Sequence, residues 1–319
     1  MLDRGRVRWH FGVVVSEKFN RLRELLRGYG SCLVAYSGGV DSVFLARVAH
    51  DVLGEKSLAV IADSASLPRS ELEEALAVAG QFGIPVQVVR TREFENAEYL
   101  ANPANRCYFC KHELFTELEP LARSGGFAVI AYGENASDAA DFRPGAKAAS
   151  EFQVRAPLKE AGLTKAEIRE LSAELGLPTA EKAQMACLSS RIPHGEAVTP
   201  EKLRMVELAE GVLKGLGFHD VRVRHHELSP KVLAHGHQPA HGQPGAGVQG
   251  GVSGHLARIE VGPGEMGRFW EDGNAQRISE ALKKIGYAHV TLDLQGYRRP
   301  GGEGLVARNL QTVPRENGL

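Results

Sequence analysis

A glycine-rich hexapeptide, Ser37–Ser42 (SGGVDS), follows an apolar run and opens a helical pattern, and its residue types suit phosphate binding. Two adjacent glycines let the main chain turn tightly and approach phosphate oxygens. The start of the next helix adds free N–H groups and a positive partial charge. A Walker loop would end in Gly-Lys-Ser/Thr, which is lacking here. We predict a phosphate loop of another class, whose contacts come from Ser37, Gly38, Gly39, Asp41 and Ser42.

The aspartate of this phosphate loop carries a charge of the wrong sign for a phosphate site. We expect Mg²⁺ or the positive end of the helix to offset the carboxylate of Asp41. Asp138 and Asp141, further along the chain, are candidate metal ligands or candidate helix caps, and the sequence does not separate these roles.

Three of the four cysteines occur where chemistry is plausible: Cys107 and Cys110 form a CxxC motif, and Cys187 stands alone. A CxxC pair can be redox-active, bind zinc or hold an iron–sulfur cluster. Structural zinc needs four ligands, and no second CxxC is present. A dithiol pair remains open, with Arg106 and Lys111 lowering the thiol pKa values. The other alternative is a [4Fe-4S] cluster bound by the three cysteines, with one iron atom that has no cysteine ligand.

Two arginines in the second half of the chain could bind an anionic substrate. Arg222 and Arg224 alternate with valines, so both should point to one face of a strand. Guanidinium groups match phosphate and carboxylate oxygens in pairs. Glu210, on the preceding helix, and Glu260, on the next strand, are weaker candidates for the same pocket. The alternative is a solvated strand face with no ligand.

The elements that position these residues alternate between strands and helices in the first half of the chain. This order predicts an α/β domain with a parallel sheet covered by helices on both faces. Ligands then bind at the carboxyl ends of the strands, which are the positions of Ala35, Tyr36 and Asp63. Cys32, inside the first strand, is expected to be a small buried hydrophobe. The predicted strands are Ser31–Ser37, Ser57–Ala62, Pro85–Val89 and Phe127–Tyr132, and the predicted helices are Val40–Leu53, Arg69–Phe82, His112–Arg123 and Lys165–Leu175.

The second half predicts a smaller α+β domain. Its predicted elements are a helix over Pro200–Leu216, strands at Val221–Arg224, His255–Val261 and His289–Leu294, and a helix over Met266–Ile285. A Gly- and His-rich insertion at 227–254 contains His235, His237 and His241, which predict either a metal site or, more simply, a solvated loop. We therefore divide the chain into a leader (1–17), a phosphate-loop domain (18–195), a substrate or oligomerisation domain (196–298) and a disordered tail (299–319).

Bulk composition narrows the class of protein. The 319 residues are 43% apolar and 24% charged, with a net charge of −1, which indicates a globular chain without the basic bias of most nucleic-acid-binding proteins. No apolar run is long enough to span a membrane, and the short run at 11–15 is not typical of a signal peptide. Four cysteines do not form a disulfide scaffold, so we expect a cytoplasmic protein with reduced thiols.

Taken together, the motifs resemble those of one family. The phosphate loop resembles that of the ATP pyrophosphatases (PP-loop enzymes), which cleave ATP to AMP and pyrophosphate through an adenylated substrate. This resemblance implies that residues 18–195 bind ATP, that Ala35 and Tyr36 line the adenine side, and that Asp63 faces the adenosine. Over about residues 18–298 the chain resembles the LarE family, through the phosphate loop and the motifs NRCYFCK, GENASDAADFRPG, ACLSSRIPHGEAVT, VRVRHH, LARIEV and LDLQGYR. The tight strand connection of that family is replaced here by the insertion at 227–254.

The resemblance implies an ATP-dependent sulfur transferase of nickel-pincer cofactor biosynthesis. Its substrate would be pyridinium-3,5-biscarboxylic acid mononucleotide, whose carboxylates are adenylated and converted to thiocarboxylates. One branch of the family sacrifices the sulfur of a single cysteine and leaves dehydroalanine. Another branch has three cysteines and is implied to carry sulfur on an iron–sulfur cluster. The present chain resembles the second branch, with sacrificial donation from Cys187 as the alternative.

The resemblance also assigns roles to residues. Cys187 aligns with the sulfur-donating cysteine, and nearby Arg191 would favour its thiolate. Arg222, Arg224, Glu210 and Arg191 are the implied substrate-binding residues, while Mg²⁺ with Arg143 or Lys111 would stabilise the leaving group. A homo-oligomer, trimer or hexamer, is implied. The competing interpretations are a tRNA-thiolating enzyme and an amide-forming synthetase of the same superfamily.

Overall fold

The computed structural model describes residues 13–140, 144–183, 186–228 and 254–297. The chain divides into two compact units, Met1–Glu207 and Leu208–Leu319. The predicted functional residues Arg143 and Asp141 lie outside the described residues. So do the three insertion histidines His235, His237 and His241, together with the predicted tail.

The first unit is built around a parallel four-stranded sheet in the order β3-β2-β1-β4. Its strands are β1 Cys32–Ala35, β2 Ser57–Asp63, β3 Val86–Arg90 and β4 Val129–Tyr132. Its helices are α1 Val13–Tyr29, α2 Val40–Leu53, α3 Arg69–Gln81, α4 Ala97–Leu100, α5 Arg106–Ser124, α6 Pro144–Glu151, α7 Pro157–Glu160 and α8 Lys165–Glu174, and α9 Pro200–Gly215 crosses the boundary between the units. The predicted α/β architecture is confirmed.

Both faces of the parallel sheet are buried at the central strand β1, as its apolar residues require. Along β1, Val34 packs into one hydrophobic cluster, while Leu33 packs into a second. This alternation follows from the two-residue period of a strand. Cys32 joins the first cluster and is fully buried, and burial raises the pKa of its thiol to about 12. The prediction of a small buried hydrophobe at this position is confirmed.

Two helix starts differ from the predicted ones. Helix α1 begins at Val13, within the range predicted as a leader, because it buries Phe19, Leu22 and Leu26 on one face. Helix α5 begins at Arg106, six residues before the predicted start. The CxxC motif therefore lies in the first turns of a helix and not in a loop before it.

The second unit contains a three-stranded sheet in the order β5-β6-β7, with β5 Val221–Leu228 and β6 Gly254–Val261 antiparallel, and β7 His289–Leu292 parallel to β6. The β5–β6 pairing runs from Val221↔Val261 to Leu228↔Gly254. The smaller sheet-containing region expected at this end of the chain is present.

The predicted helix over Met266–Ile285 is wrong. A 3-10 segment at Pro263–Trp270 is followed by a break, and helix α10 covers only Asn274–Ile285. The break is caused by two consecutive left-handed residues, Asp272 with φ 49° and Gly273 with φ 68°. A helix cannot continue through such residues.

No helix in the described part of the chain has the length and apolar character needed to cross a membrane.

Candidate active site

The phosphate loop is closed by its own serines. The Ser37 amide donates to Ser42 Oγ (3.1 Å), the Ser42 hydroxyl donates to the Gly39 carbonyl (3.0 Å), and the two serine hydroxyl oxygens lie 3.1 Å apart. Helix α2 begins directly after Gly39. The loop therefore has a fixed shape in front of a helix N-terminus, which is the arrangement that binds phosphate groups.

At two positions in this region, neighbouring atoms of the protein leave no room for a side chain, so glycine is required there independently of any ligand. Gly38 has φ +73°, and a Cβ atom there would lie 2.6 Å from Ala75 Cβ. At Gly133, after β4, a Cβ atom would lie 3.0 Å from the Ser42 nitrogen. The sequence predicted the first glycine from its role toward phosphate, whereas the close approach of Ala75 is visible only in the fold.

Lys165 offsets the charge of Asp41. Its Nζ atom lies 2.5 Å from Asp41 Oδ2, and Asn135 Nδ2 lies 3.4 Å from Asp41 Oδ1. Burial raises the pKa of Asp41, and the hydrogen bond and charge of Lys165 act in the opposite direction. Sequence reasoning missed Lys165, because it lies 124 positions from Asp41 and belongs to no motif.

One cavity brings the phosphate loop and Cys187 together. It has a volume of about 440 Å³. Ser37, Gly39 and Asp41 line it from the loop, and Cys187 lines it from the segment before a 3-10 turn at Leu188–Arg191. A second cavity of about 190 Å³ lies against the same loop and is lined by residues that include Ala35, Ser42, Lys111 and Gly133.

The acidic residues of the main cavity suit a magnesium ion bound together with a nucleotide. Asp41 and Asp138 both line the cavity, and the charge of Asp138 contributes to raising the pKa of Asp41, so the two carboxylates are near each other. Mg²⁺ on a nucleotide needs only one or two carboxylates, because phosphates and water supply the other ligands. Asp138 Oδ2 also accepts from the Asn135 amide (3.1 Å), so the residue has the capping role as well.

The residues predicted for the adenine side have protein partners. Asp63 forms an ion pair with Arg69, which also donates to the Ser64 carbonyl (2.6 Å). The Tyr36 hydroxyl donates to the Ala75 carbonyl (2.9 Å). The backbone of β1 ends at Ala35, beside the second cavity.

The three candidate cysteines affect one another electrostatically. Burial raises the pKa of Cys110 most strongly, and the nearby charges of Glu93, Cys187 and Cys107 raise it further. Burial and Cys187 also raise the pKa of Cys107, while Arg106 and Lys111 lower it without outweighing them. Arg106 and Lys111 therefore act on the pKa of Cys107 in the predicted direction, but loss of solvent is the larger effect and the net shift is upward.

Buried polar side chains tie helix α5 to the Cys187 segment, residues 186–193. Arg106 is only 5% exposed, and its Nη1 donates to Asn102 Oδ1 and to the Ser189 carbonyl (2.9 Å). The Tyr99 hydroxyl lies 2.9 Å from Ser189 Oγ, and Asn102 Nδ2 donates to the Pro193 carbonyl (2.7 Å). The segment carrying Cys187 is thus held against the start of the helix that carries Cys107.

Arg191 approaches Cys187 through the main chain. It is 1% exposed, and its Nη1 donates to the carbonyls of Ala186 (2.7 Å) and Cys187 (3.1 Å). These contacts give Arg191 a role in holding the segment in place. The sequence had predicted an effect on the Cys187 thiolate and a contact with substrate, and both stay predictions.

In the described ranges, no three or more His, Cys, Asp or Glu side chains form a group that could hold a metal ion. Cys107, Cys110 and Cys187 are near enough to affect one another electrostatically. They do not form a ready-made set of ligands for an iron–sulfur cluster.

In the second unit, charged side chains share one face of the sheet. Arg222 pairs across the strands with Glu260, and Arg224 pairs with Arg258, which places all four on the same face. Glu260 accepts from Arg224 (3.0 Å) and lies 3.2 Å from Arg258. The Arg222 guanidinium lies 4.7 Å from the centre of the Tyr297 ring, and the residue is 6% exposed. A fully solvated face does not describe this arrangement.

Glu210 has a structural partner. Its Oε1 accepts from the amide of Val223 (3.1 Å) on the edge strand β5, and the side chain is buried. Edge strands carry amides without a partner strand, so Glu210 satisfies one of them.

The chain is similar to several known proteins. A family model described as NAD synthase matches residues 14–104. The chain is 40% identical over 285 residues to an uncharacterised protein of Synechocystis sp., covering 89% of this chain and 96% of that protein. It is 27% identical over 216 residues to one of the subunits of the glutamine-hydrolysing GMP synthase of Pyrococcus furiosus, covering 63% of this chain and 67% of that one.

A further relative is the pyridinium-3,5-bisthiocarboxylic acid mononucleotide synthase of Lactiplantibacillus plantarum. The identity is 32% over 266 residues, which cover 83% of this chain and 86% of that protein. With the NAD synthase match over the phosphate loop, this likeness indicates an ATP-using enzyme of the PP-loop type. The chain belongs to the LarE family.

Proposed function

We propose that this protein is an ATP-dependent sulfur transferase that converts carboxylates of pyridinium-3,5-biscarboxylic acid mononucleotide to thiocarboxylates. One observation carries the proposal: Cys187 lines the same cavity as the phosphate loop. A thiol beside a nucleotide site can attack an acyl-adenylate as soon as it forms. The name of the L. plantarum relative supplies the class of product, a pyridinium bisthiocarboxylic acid mononucleotide.

The first step activates a poor electrophile. A carboxylate oxygen of the substrate attacks the α-phosphorus of ATP, and the bond to the bridging oxygen breaks and releases pyrophosphate. The phosphates would be held by main-chain amides at the start of α2, which have no partner within the helix, in a loop that Ser37, Gly39 and Ser42 already close through their own hydrogen bonds. Asp41 and Asp138 would hold the Mg²⁺ that comes with the nucleotide, and this ion would neutralise phosphate charge.

The second step transfers sulfur. The Cys187 thiolate attacks the adenylated carbonyl carbon and expels AMP, which gives a thioester. Loss of the Cα proton and cleavage of the Cβ–Sγ bond then release the thiocarboxylate and leave dehydroalanine at position 187. This route is redox-neutral and needs no further reactant. No step is assigned to an iron–sulfur cluster, because the described cysteines do not form a ligand group.

Arg222 and Arg224 are proposed to bind anionic groups of the substrate. Both lie on the charged face of the second unit, and Arg224 retains 28% side-chain exposure beside Glu260. A guanidinium group binds a phosphate strongly, because two of its N–H donors engage the phosphate oxygens at once. We further propose assembly into a homo-oligomer, a trimer or hexamer, in agreement with the family resemblance.

The decisive experiment separates activation from sulfur transfer. Protein prepared without oxygen is mixed with ATP and the pyridinium biscarboxylate mononucleotide, and pyrophosphate and thiocarboxylate are measured together. We expect Cys187→Ala to retain pyrophosphate release and to lose thiocarboxylate formation by about 10³-fold or more. Cys32→Ser, a substitution in the core of β1, serves as the matched control and should keep both reactions.

The outcome also discriminates the competing functions. Thiolation of tRNA in place of the mononucleotide, or amide formation from ammonia, would contradict the proposal. Intact-protein mass and iron content then identify the sulfur source. Loss of one H₂S from Cys187 per product indicates sacrificial donation, whereas an unchanged cysteine with bound iron and repeated turnover indicates a cluster.

A further inference from the structure

Three hydrogen-bond donors converge on the main-chain carbonyl oxygen of Cys187. The Ser190 hydroxyl lies 2.7 Å from this oxygen, the Ser190 amide lies 3.0 Å from it, and Arg191 Nη1 lies 3.1 Å from it. A 3-10 turn needs one such donor to close it, and here the Ser190 amide supplies that bond. The hydroxyl and the guanidinium are therefore additional to what the local backbone requires.

The guanidinium of Arg191 is fixed in place before any reaction occurs. The residue is 1% exposed, and its Nη1 also donates to the Ala186 carbonyl (2.7 Å) and to Ser190 Oγ (3.0 Å). A buried cation interacts more strongly with nearby negative charge than an exposed cation does, because little water screens it. Since a guanidinium keeps its proton in proteins, Arg191 acts as a permanent donor.

The proposed sulfur transfer places new negative charge on the same carbonyl oxygen. Once Cys187 carries the substrate as a thioester, release of the thiocarboxylate requires loss of the Cα proton. The electron pair of the Cα–H bond is shared with the adjacent carbonyl, whose oxygen becomes an enolate oxygen. That pair then forms the Cα=Cβ bond, and the Cβ–Sγ bond breaks with its electrons on sulfur. The proton passes to water, which reaches Cys187 because the residue is exposed.

We propose that Ser190 and Arg191 form an oxyanion hole for this enolate and thereby catalyse the elimination at Cys187. Oxyanion holes act through donors about 2.7–3.1 Å from the oxygen that gains charge, and the three donors lie in this range. They stabilise the transition state more than the thioester, because the oxygen carries more charge in the enolate than in the carbonyl. This role rests on the proposed function, in which Cys187 donates its own sulfur.

A kinetic separation of acylation from elimination tests this role. The full-length protein is mixed with ATP and the pyridinium biscarboxylate mononucleotide and is quenched with acid at set times. Intact-protein mass then measures the thioester form and the dehydroalanine form. Relative to thioester formation, dehydroalanine formation should slow by about 10²- to 10³-fold in Arg191→Met and by about 10-fold in Ser190→Ala, so that the thioester accumulates. Arg191→Lys, which keeps a cation, should recover part of the rate.

Ser189→Ala is the matched control for loosening of the segment. The Ser189 hydroxyl lies 2.9 Å from the Tyr99 hydroxyl, so its removal weakens the attachment of the segment and leaves the donors to the Cys187 carbonyl in place. The ratio of the two rates should stay that of wild type. If Ser189→Ala lowers this ratio as much as Ser190→Ala, or if neither Ser190→Ala nor Arg191→Met lowers it, the proposal is wrong and the contacts only hold the segment.

A chemical elimination tests the oxyanion hole without ATP or substrate. The reagent 2,5-dibromohexanediamide alkylates a thiol twice, and the cyclic sulfonium that results eliminates to dehydroalanine through loss of the Cα proton. Cys107 and Cys187 are both exposed, so Cys107 serves as the reference in the same chain. Elimination should be at least about 10-fold faster at Cys187 than at Cys107 in wild type. Ser190→Ala and Arg191→Met should reduce this advantage.

The chemical measurement separates this inference from the proposed function. If wild-type protein forms no thiocarboxylate, the proposed function fails, whereas fast chemical elimination at Cys187 that depends on Ser190 and Arg191 still supports the oxyanion hole. Equal elimination rates at Cys107 and Cys187 in wild type would refute the oxyanion hole even if the enzyme forms thiocarboxylate.

Discussion

The phosphate loop and the cysteine site, which comprises Cys107, Cys110 and the Cys187 segment, are built in opposite ways, although Cys187 lines the same cavity as the loop. The loop is contiguous, and its shape is set by hydrogen bonds among residues at most five positions apart. The cysteine site is assembled from distant segments, since Arg106 reaches Ser189 across 83 positions. A contiguous site can be read from a motif, whereas an assembled one depends on buried side chains that carry no chemical signature of their own.

The largest expected effect concerns the loop. Gly38→Ala should lower the free energy of unfolding by about 3–4 kcal/mol, because a left-handed backbone and an overpacked contact with Ala75 add together. Gly30→Ala is the control, since Gly30 has the same φ of +73° and open space around it. It should cost only the conformational strain, about 1–2 kcal/mol. Chemical denaturation measures both, and equal losses would show that contact with Ala75 is unimportant.

An intermediate effect concerns the assembled site. Arg106→Met should lower the free energy of unfolding by about 2–3 kcal/mol, because it removes two buried hydrogen bonds from a charged group, one to Asn102 Oδ1 and one to the Ser189 carbonyl, which keeps only its bond from the Ile192 amide (3.2 Å). Oxidative crosslinking of Cys107 to Cys187, followed by peptide mass spectrometry, should slow as the segment loses its attachment.

Arg123→Met, on the same helix, provides the control for this substitution. Arg123 is 75% exposed in its pair with Glu119, and surface pairs of this kind contribute about 0.5 kcal/mol. If Arg106→Met were as mild and left crosslinking unchanged, the cysteines would be positioned by other contacts.

The smallest expected loss of stability concerns a single buried hydrogen bond in the cysteine site. Tyr99→Phe removes a buried hydroxyl 2.9 Å from Ser189 Oγ, and should cost about 1 kcal/mol. Tyr108→Phe removes an exposed hydroxyl that donates to Glu151 (2.8 Å) and should not change stability measurably. Thermal unfolding compares the two variants. A larger loss from Tyr108→Phe would contradict the assignment of the buried contact as the stabilising one.

This contrast explains what the sequence could predict. Periodicity located α2 at Val40–Leu53 and the parallel sheet, because strand and helix patterns are local. The phosphate loop followed from its letters and its place between strand and helix. Lys165 could not be found in this way, since a lysine at a helix start has no distinguishing pattern until the fold places it beside Asp41.

Two errors have different causes. The early start of α5 at Arg106 depends on a buried guanidinium, which propensities do not predict. The break before α10 had a local signal, the Asp272-Gly273 pair, which favours a turn. The first error reflects tertiary contacts, and the second reflects turn chemistry that outweighed an apolar pattern.

The pairing of Leu228 with Gly254 has a practical consequence for protein engineering. Partners across an antiparallel ladder have Cα atoms about 5 Å apart, so the chain leaves β5 and re-enters β6 at adjacent positions. Replacing residues 229–253 by a two-residue Asn-Gly turn would keep the register of the sheet. The same position would also accept a fluorescent label or a purification tag, at a distance in sequence from the phosphate loop and from Cys187.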